Sequence, residues 1–235
     1  MKKETIIIIT LPILCAIAAA LSYVKLINTN VDSAKFIKEY EELNEKDGYI
    51  KLDIDEDVPI KYADYDKLLE VIENGTGIIY LGFPGCPWCR NALPVLFDAA
   101  KDNDVNIIYY MNILNERDAY TVEDGEVVFA KDEEGNDKNG TEGYFDLLKA
   151  LDKHLDDYVI EHEGKEYEVG EKRIYAPSVI FVRDGKVLGV HVSTVESQKD
   201  PRKKLTQEQY DELYSIYENY ILETKGGTCS IGTSC

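Results

Sequence analysis

Hydrophobic residues form one long run near the start of the chain. Residues 5–24 are almost continuously apolar, and Lys2 and Lys3 precede them. About 20 apolar residues are enough for a helix that spans a bilayer, and basic residues before such a helix favour a cytoplasmic N-terminus. We therefore predict that residues 1–25 anchor the protein in the cell membrane, as a single-pass helix with an extracytoplasmic C-terminal body. The small residues at 16–20 also fit a cleaved signal peptide, which would make the protein secreted.

Shorter amphipathic segments follow, beginning with an arm over residues 26–62. Apolar residues at helical spacing predict a helix over residues 31–46, which Asp32 or Ser33 can cap. An extended, strand-like piece is expected at residues 49–54. We predict that the arm lies against the main domain, which begins at about residue 63 with a second amphipathic helix.

The clearest strand pattern is the apolar run Gly77–Phe83, which is short and rich in Ile and Tyr. Such a run predicts a buried strand. A Pro84-Gly85 turn and an amphipathic helical pattern from Cys86 follow it, and residues 105–111 form a second buried run. Strand, helix and parallel strand together predict a βαβ unit.

A long segment, residues 113–173, separates this unit from the next strands. It contains a polar loop over about residues 116–140, a helical stripe of apolar residues from Tyr144 to Tyr158, and a hairpin that turns at Glu163-Gly164. We interpret the segment as an insertion into the domain. Two roles stay open for it, the selection of partners and the simple extension of the scaffold.

The last part of the domain carries two local signals. Asp184-Gly185 between two strand patterns predicts a hairpin, and Thr206 with Gln209 predicts a capping box at the start of the final helix. Residues 63–224 therefore form one predicted domain. Residues 225–235 form a Gly- and Ser-rich tail, which we expect to be flexible.

Charge limits the classes of partner. The chain has 26 basic and 45 acidic residues, which gives a formal net charge of −19. Such a surface repels nucleic acid and anionic membrane surfaces. We expect no nucleic-acid partner, and membrane contact only through residues 5–24.

Two closely spaced cysteines supply the candidate chemistry. Cys86 falls in the first turn of a predicted helix, where unpaired backbone N–H groups and the helix dipole favour a thiolate. Cys89 follows about one turn later, so its sulfur can reach Cys86 and form a disulfide. We predict that Cys86-Pro87-Trp88-Cys89 is a redox couple. The predicted extracytoplasmic location agrees with this, because disulfides persist outside the cytoplasm.

The same spacing allows two other interpretations, half of a zinc site and an inert disulfide. Zinc normally takes four ligands, but Cys229 and Cys235 are separated by an unusually wide gap and the three histidines are scattered. We therefore predict no metal site. Three interpretations stay open for the tail cysteines Cys229 and Cys235: a second exchange couple, a passive disulfide, or thiols without a role.

These motifs resemble the thioredoxin family. Pro94, five positions after Cys89, matches the proline that bends the active-site helix of thioredoxins, and Ile174–Val187 looks like the family's cis-proline strand and hairpin. The resemblance implies an α/β, thioredoxin-like fold with a central mixed sheet flanked by helices and an insertion before the cis-proline strand. It also implies that Pro177 forms a cis peptide bond and that Ala176 and Pro177 bind an extended substrate.

One residue departs from the family pattern. The family's buried acid, six residues before the first cysteine, falls at Tyr80. A tyrosine cannot act as a carboxylate base for the resolving thiol, so the direction of electron flow stays open.

A narrower resemblance concerns the stretch Gly82–Asn91 together with the exported anchor and the long insertion. These features are similar to those of the bacteriocin transport accessory proteins of Gram-positive bacteria. The resemblance covers about residues 35–224 and implies a part in making or exporting disulfide-containing peptides.

We therefore predict an extracytoplasmic thiol–disulfide oxidoreductase that acts on exported proteins or peptides. Cys86 is the exposed nucleophile and Cys89 the shielded resolving thiol. Pro87 stiffens the loop, Trp88 offers a flat apolar surface, and Arg90 either holds the thiolate through its charge or points to solvent. No cofactor is required, because electrons are exchanged with a partner dithiol, for which we expect a membrane redox protein. The alternatives are a non-catalytic chaperone or accessory subunit of a peptide exporter and a metal-delivery protein.

Overall fold

The framework of the protein is a mixed β-sheet with helices on both faces. The computed structural model describes residues 31–55 and 57–226. Its strands are β1 (Ile60–Tyr62), β2 (Gly77–Gly82), β3 (Ile108–Asn112), β4 (Tyr120–Glu123), β5 (Glu126–Phe129), β6 (Asp157–His162), β7 (Lys165–Lys172), β8 (Ser178–Arg183) and β9 (Lys186–Val192). Its helices are α1 (residues 31–41), α2 (Tyr65–Asn74), α3 (Pro87–Asp102), α4 (Glu142–Leu151) and α5 (Gln207–Thr224).

Several predictions concern residues outside this range. The predicted anchor at residues 5–24 and both tail cysteines, Cys229 and Cys235, lie outside the described residues. No helix within the described residues is long and apolar enough to cross a membrane.

Five strands form the central sheet in the order β1-β3-β2-β8-β9. Strands β1, β3 and β2 are parallel, whereas β8 runs antiparallel to β2 and β9 antiparallel to β8. The unit β2–α3–β3 is the predicted βαβ unit, and the turn between β8 and β9 contains the predicted Asp184-Gly185. The expectation of a central mixed sheet flanked by helices is confirmed at this level.

Alternation along β2 divides the core into two layers. Ile78 and Tyr80 belong to the cluster that packs against α1, α3 and α5, whereas Ile79 and Leu81 belong to the cluster that packs against α2 and α4. Successive residues of a strand point to opposite faces. Both faces of β2 are therefore buried, which explains why its sequence is apolar at nearly every position.

The arm packs onto the first of these layers, and two predictions about it are wrong. Asp32 and Ser33 do not cap α1: they lie within the helix and accept hydrogen bonds from the backbone N–H groups of Tyr62 (3.2 Å) and Val58 (3.0 Å). Residues 49–54 are not a strand. The Asn44 side chain instead pairs with the backbone of Leu52, at 2.6 and 2.8 Å, and so takes the place of a neighbouring strand.

The insertion differs from its prediction in two places. Helix α4 ends at Leu151, so Leu155 and Tyr158 lie beyond it, and Tyr158 belongs to strand β6. The predicted polar loop contains the hairpin β4–β5, which turns at Asp124-Gly125 with positive φ at both residues. An Asp-Gly pair is a typical hairpin signal. The hairpin at Glu163-Gly164, between β6 and β7, and the capping box of α5 are confirmed.

Candidate functional site

Cys86 lies in the short loop between strand β2 and helix α3, directly before the helix. It is the N-cap residue of α3, with extended backbone angles, and its sulfur accepts a hydrogen bond from the N–H of Cys89 at 3.2 Å. Pro87 occupies the first helical position, where the missing N–H of proline costs nothing because this group has no partner in a helix. The sequence thus builds a helix N-terminus whose capping group is a sulfur.

The two thiols are free and differ in their surroundings. Cys89 is fully buried, and only 4% of Cys86 is exposed. The prediction of an exposed nucleophile therefore needs correction, since the Cys86 thiol is covered by the loop before β8 and donates to the carbonyl oxygen of Ala176 at 3.2 Å.

The environment separates the acidities of the two thiols. The neighbouring Cys89 thiol lowers the pKa of Cys86 below its ordinary value of 9.0, and partial burial acts to raise it. Backbone N–H groups and the charge of Arg117 lower the pKa of Cys86 further. Burial raises the pKa of Cys89 well above its ordinary value, and the neighbouring Cys86 raises it further. Cys86 is therefore the thiol that ionises first.

The loop that covers Cys86 contains a cis peptide bond between Ala176 and Pro177, the geometry that the family resemblance implies at this proline. The hydroxyl of Ser178 donates a hydrogen bond to the carbonyl of Tyr175 at 2.6 Å. The N–H of Ser193 donates to the carbonyl of Pro177 at 2.9 Å. Both ends of the loop are thus fixed to the sheet. The structure brings Ala176 and Pro177 to the two cysteines.

Trp88 and Arg90 occupy different environments. Trp88 is half-buried and packs against the core cluster that contains both cysteines. Arg90 is buried, and neither predicted role fits it. Its guanidinium donates to the carbonyls of Tyr40 (2.8 Å) and Ile50 (2.7 Å), and to further acceptors at Pro84 and Asn44. Arg90 fastens the arm to helix α3.

Sequence reasoning missed Arg117, which lies in the insertion. Its guanidinium carbon is 5.3 Å from the ring centroid of Phe83, in the loop before Cys86. Its Nε atom is buried, and no acceptor for it lies among the described residues. The nearby Arg173 is paired with the buried Asp118 at 3.3 Å. Arg117 is thus the cation that the insertion contributes beside the Cys86 thiol.

Arg117 also lines an open cavity of about 320 Å³ in the insertion. Further lining residues include Asp118, Lys138 and Arg173. Charges of both signs line this space, so its composition does not select an anionic or a cationic group. Arg117 thus faces both this cavity and the ring of Phe83.

A second residue of interest is Tyr80, which lies on the same side of the sheet as Cys89. A Cβ atom on Gly82 would collide with the Tyr80 hydroxyl and would lie 3.0 Å from the Cys89 sulfur. Because glycine has no Cβ atom, position 82 leaves room for the Tyr80 hydroxyl beside the Cys89 sulfur. The Tyr80 hydroxyl also lies 3.1 Å from that of Tyr40 in the arm.

Candidate metal ligands are sparse in the part of the chain that the structure describes. No group of three or more His, Cys, Asp and Glu residues in this part could hold a metal ion.

Comparisons of the chain with protein-family models, curated proteins and solved structures gave no match. The site must therefore be interpreted from its own geometry.

Proposed function

We propose that this protein is a thiol–disulfide oxidoreductase of the thioredoxin-like kind, with Cys86 and Cys89 as its redox couple. The observation that carries the proposal is the position of Cys86. Its sulfur lies 3.2 Å from the N–H of Cys89 at the start of α3 and 3.2 Å from the carbonyl of Ala176, next to the cis bond to Pro177. A thiolate stabilised at a helix N-terminus is the reactive form in disulfide exchange.

The fold is compatible with this proposal. The thioredoxin resemblance implies a parallel β2–α3–β3 unit in a mixed sheet. It also implies a hairpin, here β8–β9, whose first strand runs antiparallel to β2. The redox motif lies at the carboxyl end of β2, where the strand meets the helix. Open α/β sheets commonly bind ligands outside the carboxyl ends of their strands.

The reaction transfers two electrons through a mixed disulfide. The Cys86 thiolate attacks one sulfur of a substrate disulfide, so that a bond forms between Cys86 and the substrate and the other substrate sulfur leaves as a thiolate. Cys89 then loses its proton and attacks Cys86, which closes the Cys86–Cys89 disulfide and releases the second substrate thiolate. The reverse sequence oxidises a substrate dithiol. A partner dithiol or disulfide restores the starting state.

We further propose that the substrates are exported proteins or peptides and that the redox partner is a membrane protein. Both follow from the predicted anchor at residues 5–24 and from the resemblance to bacteriocin transport accessory proteins. An extracytoplasmic thiol pair would meet chains that form disulfides after export.

The test uses the full chain in detergent, with Cys15, Cys229 and Cys235 replaced by Ser. Incubated with a disulfide-bonded peptide, the additional Cys89→Ser variant should accumulate a mixed disulfide at Cys86, because the resolving thiol is absent. The matched Cys86→Ser variant should accumulate none. The reduction potential of the parent, read by thiol trapping in glutathione buffers, then gives the direction: about −270 mV indicates a reductant and about −120 mV an oxidant.

Two outcomes would overturn the proposal. A cysteine pair that does not cycle reversibly between dithiol and disulfide would favour a non-catalytic accessory or chaperone subunit. Zinc or copper bound in stoichiometric amount by the reduced protein would favour metal delivery.

A further inference from the structure

Phenol groups surround the Cys89 thiol inside the protein. The core cluster that contains Cys89 also contains four fully buried tyrosines, one each from α1, β2, β3 and α5, and the pKa of each is raised by burial and by proximity to Cys89. They are Tyr40, Tyr80, Tyr110 and Tyr217. The other titratable group beside Cys89 is Cys86.

Of these four residues, Tyr80 is the one whose hydroxyl lies beside the Cys89 sulfur at Gly82. Its hydroxyl and the Cys89 sulfur occupy the same small space above Gly82, where a Cβ atom would meet both. The neighbouring Tyr80 hydroxyl acts to lower the pKa of Cys89 against the larger effect of burial. By contrast, the hydroxyls of Tyr110 and Tyr217 have no hydrogen-bond partner among the described residues.

The orientation of the Tyr80 hydroxyl follows from its second neighbour. Tyr40 and Tyr80 are joined by a hydrogen bond of 3.1 Å in which either oxygen can donate. When Tyr40 donates, the Tyr80 proton is left to point at Cys89, and each hydrogen bond polarises the next. Packing fixes both rings, because Tyr80 stacks on Tyr110 and Tyr40 on Phe36.

We propose that Tyr80 is a catalytic residue of the resolving step: its hydroxyl donates a hydrogen bond to the Cys89 sulfur as that sulfur loses its proton and attacks Cys86. Tyr40 is a positioning residue that holds the Tyr80 hydroxyl in the donating orientation. This inference rests on the proposed function. In the step, the bond between Cys86 and the substrate sulfur breaks, the Cys86–Cys89 bond forms, and the substrate leaves as a thiolate.

The proton that Cys89 loses has a different destination beside a phenol than beside a carboxylate. A carboxylate could take the Cys89 proton, but Tyr80 keeps its own proton, since burial raises its pKa. The Cys89 proton therefore passes to the leaving substrate thiolate or to solvent. Tyr80 stabilises the negative charge on sulfur without accepting the proton, and a hydrogen bond to a charged group is stronger than one between neutral groups.

The test separates the two thiol reactions in one trace. The reduced full chain, with Cys15, Cys229 and Cys235 replaced by Ser, is mixed with the aromatic disulfide 5,5′-dithiobis(2-nitrobenzoate). Attack by Cys86 releases one thionitrobenzoate, and attack by Cys89 on the mixed disulfide releases the second. Because the release is coloured, the two phases give two rates, and their pH dependence can be followed.

Tyr80→Phe removes a single oxygen atom and should slow the second phase about tenfold, the effect of one hydrogen bond to a charged group. It should also move the pH inflection of that phase upwards while the first phase stays within about twofold of the parent. Tyr40→Phe should slow the second phase by a smaller factor. Tyr217→Phe is the matched control, because it removes a buried hydroxyl without a partner from the same core, and should change neither phase.

Equal second-phase rates and pH profiles for Tyr80→Phe and Tyr217→Phe would overturn the inference. Should Tyr80→Phe fail to fold, Tyr40→Phe decides, and a second phase equal to that of Tyr217→Phe would overturn it as well. Failure of the proposed function looks different: the parent protein itself would release one thionitrobenzoate and show no second phase.

Discussion

The reactivity of Cys86 depends on a few individual contacts. Its sulfur accepts a hydrogen bond from the backbone N–H of Cys89, and the Cys89 thiol and the charge of Arg117 also act to lower its pKa. The backbone contribution comes with the helix N-terminus and would accompany any cysteine at this position. The contribution of Arg117 is different, because it depends on an insertion that begins 27 residues after Cys86.

We predict that Arg117→Gln slows the alkylation of Cys86 by iodoacetamide at pH 7 about threefold. Loss of the cation raises the pKa of Cys86 and lowers the thiolate fraction, and the higher nucleophilicity of the more basic thiolate offsets only part of this loss. Arg202→Gln, at an exposed arginine, is the control and should react like the parent. Equal rates for both variants would show that Arg117 does not act on the thiolate.

Arg90 illustrates how residue type, and not charge alone, decides a role. Its planar guanidinium donates four hydrogen bonds at once, to the carbonyls of Tyr40, Ile50 and Pro84 and to the Asn44 side chain. Lysine has the same charge, but it cannot match this fork of donors. We predict that Arg90→Lys lowers the free energy of unfolding by about 2–4 kcal/mol, because buried carbonyls lose their donors.

Urea titration of the reduced protein measures this loss, with Arg202→Lys as control. A change below about 0.5 kcal/mol would contradict the assigned role.

At the scale of elements, the arm is part of the domain core. Helix α1 places Phe36 among the rings of Tyr40, Tyr80 and Tyr110, with centroid distances of 4.3, 6.4 and 4.9 Å. The same helix supplies the partner of the Tyr80 hydroxyl. The arm therefore connects the stability of the fold with the resolving thiol.

We predict that Phe36→Ala lowers the free energy of unfolding by about 3–5 kcal/mol, since it leaves a cavity in a fully buried aromatic cluster. Val31→Ala, in the same helix, changes a side chain that is 61% exposed and should alter stability by less than about 0.5 kcal/mol. Urea unfolding followed by tryptophan fluorescence distinguishes the two. Similar losses in both variants would mean that α1 is not packed on the core.

The sequence pattern predicted the elements whose hydrogen bonds are local. The Asp184-Gly185 turn and the Thr206 cap are each determined by neighbouring residues, and both are present. Strand β2 pairs with the distant strands β3 and β8, but burial of both its faces leaves a continuous apolar run in the sequence. The strand expected at residues 49–54 failed because a distant side chain, Asn44, satisfies this backbone. A segment whose backbone is satisfied by one distant polar side chain carries no such signal.

The same distinction applies to the candidate site. Cys86 and Cys89 are visible in the sequence because their spacing is itself the signal. Arg117 and Tyr40 are not, since only the folded chain brings an insertion residue to Cys86 and an arm residue to Tyr80. The Asp-Gly pair at 124–125 is a local signal that the sequence analysis did not use, and it marks the hairpin β4–β5.

At the scale of the whole molecule, the central sheet separates two layers that meet again near the two cysteines. The cysteines belong to the layer of α1, α3 and α5, whereas the insertion helix α4 belongs to the opposite layer. Ala176 packs against both. A change in the ionisation of the cysteine pair therefore acts on the stability of the entire fold.

This linkage gives a prediction with a definite sign. The pKa of Cys86 is lower in the folded protein than in the unfolded chain, so below about pH 9 the unfolded state binds more protons and stability rises with pH. The pKa of Cys89 is higher in the folded protein. Above about pH 9 the folded state keeps a proton that the unfolded chain has lost, and stability falls as pH rises further.

The measurement compares the reduced full chain with the double variant Cys86→Ala, Cys89→Ala, by urea unfolding with a phosphine reductant between pH 6 and 10.5. Subtraction removes the ionisation of the tyrosines in the unfolded chain, because both proteins contain the same tyrosines. The difference in unfolding free energy should pass through a maximum near pH 9. A difference that only falls with pH would show that Cys86 gains no thiolate stabilisation from the fold, and one that only rises would show that Cys89 is not the shielded partner.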